Sequence, residues 1–322
     1  MNTLFRGGTA LMVVASFAVA VLCLGPSRAV KNGALRLSGQ WAAGAHAACL
    51  RGGTFGKTPF WRMAAPTAPR DAPFTPAVLA FLLSRTGLDG EQWDNIMKLI
   101  SQPAQGRAGW SRLYGHCADV GAARGFAVGL FGATTGGPGD VEPAAPILFR
   151  EYDAVNGASQ PSVAGGLARI GLHGVMQGAV LKVTDSVSAF CGKIHRLHGD
   201  VAWREATWRA FYQVHIQDSV QQARLRGFHS ALIIGAFVDA ALAQAERGDR
   251  EGLTRLLTRA GGSDDESTFL RRFLGARAHA ANGRRGQPTG DGPYRVRRWR
   301  QLLNRGEIDL KNADAAVRHV TR

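Results

Sequence analysis

Glycine recurs through residues 110–140, which read WSRLYGHCADVGAARGFAVGLFGATTGGPGD. The spacing predicts a short helix over residues 110–119, a turn at residues 121–125, and an apolar segment ending in a glycine-rich loop that carries Asp140. Glycine accepts positive φ and allows close approach to the backbone, so loops of this kind often hold a ligand. A plain surface turn is the alternative.

The motif Y-G-x-x-x-D-[VI]-G-x-x-R-G-[FY]-x-x-G-x-x-G, followed by a Gly/Thr loop and G-D, resembles the active-site segment of the glycoside hydrolase family 46 chitosanases. The resemblance implies an α+β, mostly α-helical, lysozyme-like fold of two lobes, with a long central helix and a substrate cleft. It also implies inverting hydrolysis. The matching residues are Tyr114, Gly115, Asp119, Val120, Gly121, Arg124, Gly125, Phe126, Gly129, Gly132, Gly139 and Asp140.

Three further segments resemble the same family in the expected order. They are residues 218–228, 265–277 (DESTFLRRFLGAR) and 295–310. The resemblance therefore covers about residues 87–310, and it implies a structural role for Arg277.

Two departures from the family pattern concern catalysis. The general base of the family is an Asp two residues before the Arg of the turn, and that position is Ala122 here. The general acid is a Glu at the end of the preceding helix, where this chain reads Pro103-Ala104-Gln105-Gly106. The alignment without gaps places Gln105 on the Glu. A shift of the alignment within this segment would not place a carboxylate there either. A family Thr that helps to position water is replaced by Ala127.

Inverting hydrolysis needs a carboxylic acid and a second carboxylate about 6.5–9.5 Å away. Gln can hydrogen-bond a sugar but cannot supply the proton, and Ala can do neither. We therefore predict that no catalytic pair is intact. Glu142, Glu151 and Asp153 are the nearby acids that could replace the base, although each is more simply a solvated residue of a helix face.

The resemblance assigns binding roles to four residues. We expect His116, Asp119 and Asp140 to line the cleft and hydrogen-bond sugar hydroxyls, and Arg124 to anchor it by pairing with an acid. An ion pair of Asp119 with an arginine is the alternative for that residue. We predict no metal and no cofactor: the spacing of Cys191, His195, His198 and Asp200 could suit zinc, but a second ligand pair is missing.

Lys and Arg number 39 against 24 Asp and Glu, which gives a net charge of +15 and a pI near 10.7. Because chitosan is a polycation, long-range electrostatics oppose its binding and favour a polyanion. Three functions follow: a binding protein for a β-1,4-linked amino-sugar polymer with little or no hydrolysis, an active endo-glycosidase with a shifted carboxylate, or a basic envelope protein that binds a polyanion or a protein. Nucleic acid is the least favoured polyanion, although the segment YRVRRWRQLLNR is basic and contains Trp299.

The N-terminal part divides into two segments. Residues 1–29 have Arg6 before a short apolar run and Ser-Arg-Ala at the end, which is typical of a signal peptide and predicts a secreted or periplasmic protein. An uncleaved membrane anchor is the alternative. Residues 30–74 are rich in Ala, Gly and Pro and are interpreted as a linker, and residues 75–322 as the chitosanase-like domain. Cys49, Cys117 and Cys191 permit one disulfide, with the pairing open.

Helix signals frame the domain. Thr75-Pro76 predicts the start of a helix that stops at Gly87, and a second is expected from Asp89 to Pro103. One or two long helices are predicted over residues 200–245, with residues 231–243 buried. In the last helix, we expect the apolar side chains to point inward: Val296, Trp299, Leu302 and Leu303.

Overall fold

The computed structural model describes residues 73–105, 109–140, 142–245, 252–282 and 292–311. The leader and nearly all of the linker predicted for residues 1–74 lie outside this part of the chain, as do residues 312–322. Within the described residues, the structure contains no helix that is both long and apolar enough to span a membrane.

The first two helices begin and end close to the positions that the sequence predicts. Helix α1 spans Pro76–Thr86; the Thr75 side chain accepts a hydrogen bond from the Val78 amide, and Gly87 closes the helix with a φ of 79°. Helix α2 spans Gly90–Gln105 and therefore runs two residues past Pro103, where we expected its end. Proline disrupts the helix only through its own missing amide and its clash with the preceding turn, so one more half-turn can follow.

A small antiparallel sheet follows a 3-10 turn at Trp110–Gly115. It consists of β1 (Cys117–Asp119), β2 (Phe126–Val128) and β3 (Ala133–Thr134), in that order. Cys117 pairs with Val128 and Asp119 with Phe126. The helix predicted over residues 110–119 is therefore wrong from residue 116 onwards: His116 is extended, and cross-strand pairing with β2 replaces the local helical hydrogen bonds from residue 117.

The next part of the chain forms three helices and a β-hairpin. Helices α3 (Ala145–Val155) and α4 (Val163–Arg169) pack together, and the hairpin of β4 (Gly174–Gln177) and β5 (Val180–Val183) precedes α5 (Val187–Arg196). The Leu181 amide donates to the Thr135 carbonyl at 2.8 Å, which ties the hairpin to the end of β3. The glycine-rich sequence of residues 165–181 thus builds part of α4 and the hairpin.

The region predicted to be one or two long helices is divided more finely. It contains α6 (Val201–Phe211), a π-helical segment (Tyr212–Ile216), α7 (Gln217–Arg224) and α8 (Ala231–Ala245). Gly227, with a φ of 75°, lies in the turn that separates α7 from α8. Residues 231–240 of α8 are all buried, as their apolar pattern predicts.

Three C-terminal helices pack on α8: α9 (Gly252–Ala260), α10 (Glu266–Asn282) and α11 (Gly292–Asn304). The four side chains of α11 that we expected to point inward are all buried: Val296, Trp299, Leu302 and Leu303. After α11 the chain runs back to α2, where the Asn95 side chain donates to the Leu310 carbonyl at 2.7 Å.

A buried ion cluster joins α8, α10 and α11. Asp239 is fully buried and accepts hydrogen bonds from Arg277 at 2.8 Å, Arg295 at 3.2 Å and the Trp299 indole at 2.7 Å. Burial by itself raises the pKa of the Asp239 carboxyl, but the two guanidinium groups outweigh it and hold the pKa below its ordinary value. Arg277, for which the family resemblance implied a structural role, thus lies inside the helical core.

Aromatic side chains fill the junction between α1, α2 and α6. The Tyr114 hydroxyl donates to the Pro73 carbonyl at 2.8 Å and accepts from the Trp208 indole at 2.6 Å, while the Trp203 indole donates to the Tyr114 carbonyl at 2.8 Å. Phe74 packs against Trp208 with ring centroids 5.6 Å apart. These polar atoms are satisfied within the core, so the burial of the rings is not offset by lost hydrogen bonds.

The substitution Asp239→Asn tests the ion cluster. It keeps the shape of the side chain but removes the negative charge that faces two buried guanidinium groups, so we expect the free energy of unfolding to fall by about 3–5 kcal/mol. Chemical denaturation measures it. The matched control is Asp309→Asn, at an exposed carboxylate, which should change the free energy of unfolding by no more than about 0.5 kcal/mol. Equal effects of the two substitutions would contradict the role of the cluster.

Candidate functional site

The turn at residues 121–125 and the loop at residues 136–140 pack against each other. The Gly125 amide donates to the Gly121 carbonyl at 2.8 Å and closes the turn. The Gly139 amide donates to the Ala123 carbonyl at 2.9 Å, and the Gly136 amide to the Arg124 carbonyl at 3.1 Å. Backbone hydrogen bonds therefore fix the loop that carries Asp140 to the turn that carries Ala122.

Gly137 explains why the loop needs glycine. A Cβ atom at this position would lie 2.5 Å from the Ala122 carbonyl oxygen and 2.6 Å from that of Ala123, well inside van der Waals contact. The close approach that the sequence predicted for a ligand is thus made, at this glycine, by the protein's own turn. Gly137 therefore serves the packing of the loop on the turn.

The larger of two adjoining cavities has a volume of about 170 Å³. Its walls are mainly apolar, and its polar lining residues are Ser101, His116 and Arg295. The lining comes from α2, the turn after the 3-10 segment, residues 129–132, α6, α8 and α11. Arg295 therefore belongs both to the cavity wall and to the buried cluster around Asp239.

The smaller cavity has a volume of about 40 Å³ and more polar walls. Arg124, Thr134, Asp140 and His215 line it, and it shares Phe131, Gly132 and Leu242 with the larger cavity. The two cavities thus meet at Phe131. Between them they bring together three of the four residues predicted to bind the polymer, namely His116, Arg124 and Asp140.

The π-helical segment places His215 and Val214 at this wall. A π turn inserts an extra residue into the helix and redirects the side chains there, and such insertions are frequent at functional sites. Phe131 stacks on Phe211 with centroids 5.1 Å apart and meets the edge of His215 at 5.7 Å. The aromatic contacts hold the floor that both cavities share.

Asp140 is oriented by its neighbours. The Thr134 hydroxyl donates to the Asp140 carboxylate, and the Asp140 amide donates to the Gly137 carbonyl at 3.0 Å. A carboxylate can accept up to about four hydrogen bonds, so the bond from Thr134 leaves acceptor capacity for a ligand. Asp140 is the sole acidic residue in the lining of the two cavities.

His116 is half-buried at the wall of the larger cavity. Burial, and to a smaller extent the neighbouring His195, lowers the pKa of the His116 imidazole below its ordinary value. The ring is therefore neutral at pH 7, with one nitrogen that donates and one that accepts. That combination suits hydrogen bonds to hydroxyl groups.

Asp119 differs from the other predicted binding residues. Its carboxylate is exposed and accepts from the Gly121 amide at 2.9 Å, so it stabilises the start of the turn. It does not line either of the two cavities. Ala122, which the sequence motif assigned to the family's base position, is exposed two residues before Arg124. Gln105 ends α2, and its side chain lies outside the described part of the structure.

The acids considered as replacements for the base do not line the two cavities. Asp153 is buried and pairs with Arg169 at 2.6 Å, and the arginine hydrogen bond holds the pKa of the Asp153 carboxyl below its ordinary value. Glu151 accepts from Gln213 at 2.6 Å. Glu142 is exposed, and none of the three lines the two cavities.

Comparison with known proteins decides the family. A chitosanase from Niallia circulans is 46% identical over 273 residues, which cover 84% of this chain and 91% of that protein. The chain belongs to the chitosanase family. No protein-family model matches the sequence.

Solved structures of family 46 enzymes share the fold. A family 46 chitosanase from Gynuella sunshinyii, solved with chitotetraose, superimposes with a TM-score of 0.53 at 18% identity, over 69% of this chain and 92% of that one. A native chitosanase from Bacillus subtilis MY002 gives 0.51 at 20% identity, over 70% and 93%. The predicted α+β, mostly helical, lysozyme-like fold is thereby confirmed.

A disulfide joins the family's small sheet to α5. Cys117 in β1 and Cys191 in α5 are bonded, across 74 residues of sequence. Closing a loop of this length stabilises a domain by about 2–5 kcal/mol. The bond rules out a free thiol at either position, so Cys191 is not a zinc ligand, and the described residues contain no group of three potential ligands that could hold a metal.

Three residues of the site were missed in the sequence: Thr134, His215 and Arg295. Arg295 lay in a recognised motif, but its inward direction depends on Asp239, which is distant in sequence. His215 is displayed by a π turn that leaves no periodicity to detect. Thr134 belongs to the Gly/Thr loop of the motif, which was the available sequence signal. Its hydrogen bond to Asp140 became visible only in the structure.

The substitution Gly137→Ala tests the packing of the loop on the turn. The added Cβ overlaps two carbonyl oxygens of the backbone, so we expect a loss of about 1–3 kcal/mol in the free energy of unfolding. The control is Gly262→Ala, where a Cβ would meet nothing within 4 Å. Urea denaturation compares the two variants; an unchanged Gly137→Ala protein would show that the loop is free to move away from the turn.

Proposed function

We propose that this family 46 protein binds a β-1,4-linked amino-sugar polymer in the cleft at Phe131 and hydrolyses it little or not at all. The observation that carries the proposal is the composition of the cleft. Among the described residues that line its two cavities, Asp140 is the one acid, and Ala122 occupies the position to which the sequence motif assigns the family's base.

Binding is supported by the side chains that remain. His116 in its neutral form, Thr134 and Asp140 offer donors and acceptors of the kind that hydrogen-bond sugar hydroxyls, and the Asp140 carboxylate can also accept from an ammonium group. The Niallia circulans relative is named a chitosanase, and the Gynuella sunshinyii structure contains chitotetraose. Both support an amino-sugar polymer as the ligand.

Weak or absent hydrolysis is supported by the chemistry of the inverting reaction. A carboxylic acid must protonate the leaving oxygen while a second carboxylate activates water on the other face of the sugar. Asp140 alone can fill one of these roles, and the acids considered as substitutes do not line the cavities. Removal of one member of a catalytic acid–base pair commonly costs a factor of about 10² to 10⁴ in rate.

The net charge bears on the choice of polymer. A protein of charge +15 repels cationic chitosan at long range, whereas it attracts peptidoglycan, whose N-acetylated glycan carries peptides with free carboxylates. Peptidoglycan therefore belongs beside chitosan in any assay. The leader-like residues 1–29 support export to the cell envelope or beyond, where either polymer would be met.

The first test measures release of reducing ends from chitosan and from peptidoglycan by protein lacking residues 1–29. We expect no release above background from the wild type and measurable release from a double variant with Gln105→Glu and Ala122→Asp. A second double variant, Ala104→Glu with Ala122→Asp, covers the neighbouring alignment. Residues 104 and 105 are neighbours at the end of α2, so the two double variants test the two alignments of the family's acid.

Cleavage of either polymer by the wild type would overturn the proposed lack of hydrolysis. The variant Asp140→Asn would then show whether Asp140 takes part in the reaction. Single variants of Glu142 and Glu151 would identify a substitute carboxylate. Activity in neither wild type nor restored variants, with binding intact, would agree with a cleft that has lost more than its two carboxylates.

The second test concerns binding. Isothermal calorimetry with chitosan oligomers of four to six units should give a dissociation constant at least about tenfold higher for Asp140→Asn than for the wild type, because a charge-assisted hydrogen bond is lost. Asp119→Asn is the matched control, since Asp119 is exposed and does not line the cavities. Equal binding by wild type and Asp140→Asn would place the polymer elsewhere.

A further inference from the structure

The outer surface of the three C-terminal helices is strongly basic. Helices α9, α10 and α11 all pack on α8, with α10 in contact with both of the others. Each buries its apolar side against that core, so the opposite sides form a common outer surface. We name it the basic face, and it carries seven exposed arginines: Arg255, Arg259, Arg271, Arg272, Arg297, Arg300 and Arg305.

The helices bring these arginines close together. Arg277 of α10 and Arg295 of α11 reach the same carboxylate, while Arg300 donates to the Leu274 carbonyl at 3.3 Å, so α10 and α11 run antiparallel along a shared seam. Arg272 donates to the Gly262 carbonyl at 2.8 Å, in the turn that follows α9. Along each helix, arginines three or four residues apart are neighbours about 5–6 Å apart.

Exposed acidic side chains are few among the described residues of these helices and the turns that follow them. They are Asp264, Asp265 and Asp309. Asp265 caps α10, because its carboxylate accepts from the Thr268 amide at 2.7 Å, and Arg271 lies near it. Arg272 and Arg300 donate to main-chain carbonyls, which are neutral acceptors and leave the positive charge uncancelled. The face therefore presents a positive field to solvent.

The described residues of the face lack the groups that stack on the bases of single strands and those that insert into a bilayer. Trp299, the aromatic residue of the basic segment YRVRRWRQLLNR, is buried, so it provides no platform for stacking the bases of a single-stranded nucleic acid. The exposed large apolar side chains of the described residues lie on other elements, such as Val175 of β4 and Leu83 of α1, so none is placed to insert into a bilayer here.

We propose that the basic face binds an acidic polysaccharide, with guanidinium groups pairing to the carboxylates of successive sugar units. Guanidinium and carboxylate pair through two parallel hydrogen bonds, and a linear polymer of uronic acids repeats its charge along its length, as the helices repeat theirs. This binding is independent of the cleft. Within a family of polysaccharide-binding proteins, it adds a second attachment to the same kind of material.

The test uses polygalacturonate as the acidic polysaccharide and the leaderless protein. A triple variant, Arg259→Gln with Arg271→Gln and Arg305→Gln, removes charge from the face. The control triple, Arg112→Gln with Arg150→Gln and Arg196→Gln, removes the same charge from exposed arginines on other elements. Thermal melts should show both folded, since all six side chains are exposed.

We expect the face variant to bind polygalacturonate at least about tenfold more weakly than the wild type at 50 mM salt, and the control variant within about threefold. The slope of log affinity against log salt concentration should fall by about one for each arginine removed from the face. Equal weakening in the two triples would show that net charge alone is responsible, and failure of the wild type to bind would overturn the proposal directly.

Two further measurements decide the partner and separate this site from the cleft. Tighter binding of duplex DNA, or of vesicles containing phosphatidylglycerol, than of polygalacturonate at equal charge concentration would overturn the choice of an acidic polysaccharide. The face variant should bind chitosan oligomers as the wild type does, while Asp140→Asn should retain polygalacturonate binding. Loss of both ligands in the face variant would contradict two independent surfaces.

Discussion

The buried carboxylate of Asp239 holds the helical part of this protein together. Two guanidinium groups and one indole from α10 and α11 converge on it, and a carboxylate without them would be expensive to bury. The same pair of helices supports two surfaces. On the inner side Arg295 reaches the wall of the larger cavity, and on the outer side α10 and α11 carry exposed arginines. The cleft and the basic face therefore both depend on one ion cluster in the core.

The opposite side of the cleft is built differently. Short strands, tight turns and a disulfide hold it, and glycines such as Gly137 let two backbone segments approach closely. Ala122 lies exposed on this framework. Replacing an exposed catalytic acid by alanine changes stability little, and active-site charges often lower it. The small effect on stability of replacing an exposed acid is the physical argument behind the proposed binding function.

Local signals predicted the features that local interactions decide. The Thr75 cap and Gly87 stop set the ends of α1, and the apolar runs of α8 and α11 predicted their buried residues. The motif over residues 110–140 and three further segments in order gave the family and therefore the fold. The remainder depends on distant partners: the strand at Cys117–Asp119 is too short for any periodicity, three cysteines left the pairing with Cys191 open, and His215 faces the cleft because of a π turn. The predicted grouping of His116, Arg124 and Asp140 came from the family motif, whereas Arg295 needed the structure.

Charge distribution brings the two proposed surfaces into one account. A net charge of +15 spread evenly would oppose a cationic polymer at every approach, yet the charge is uneven: residues 1–72 carry eight Lys and Arg against one Asp, and α9, α10 and α11 carry exposed arginines on their outer sides. At physiological ionic strength the field of exposed charges decays over about 8 Å, so arginines on that outer surface act weakly on a ligand that has already entered the cleft. There, the Asp140 carboxylate and the neutral His116 ring act at hydrogen-bond distance. A surface that gathers acidic polymer and a cleft that holds an amino-sugar chain are thus compatible on one small basic domain.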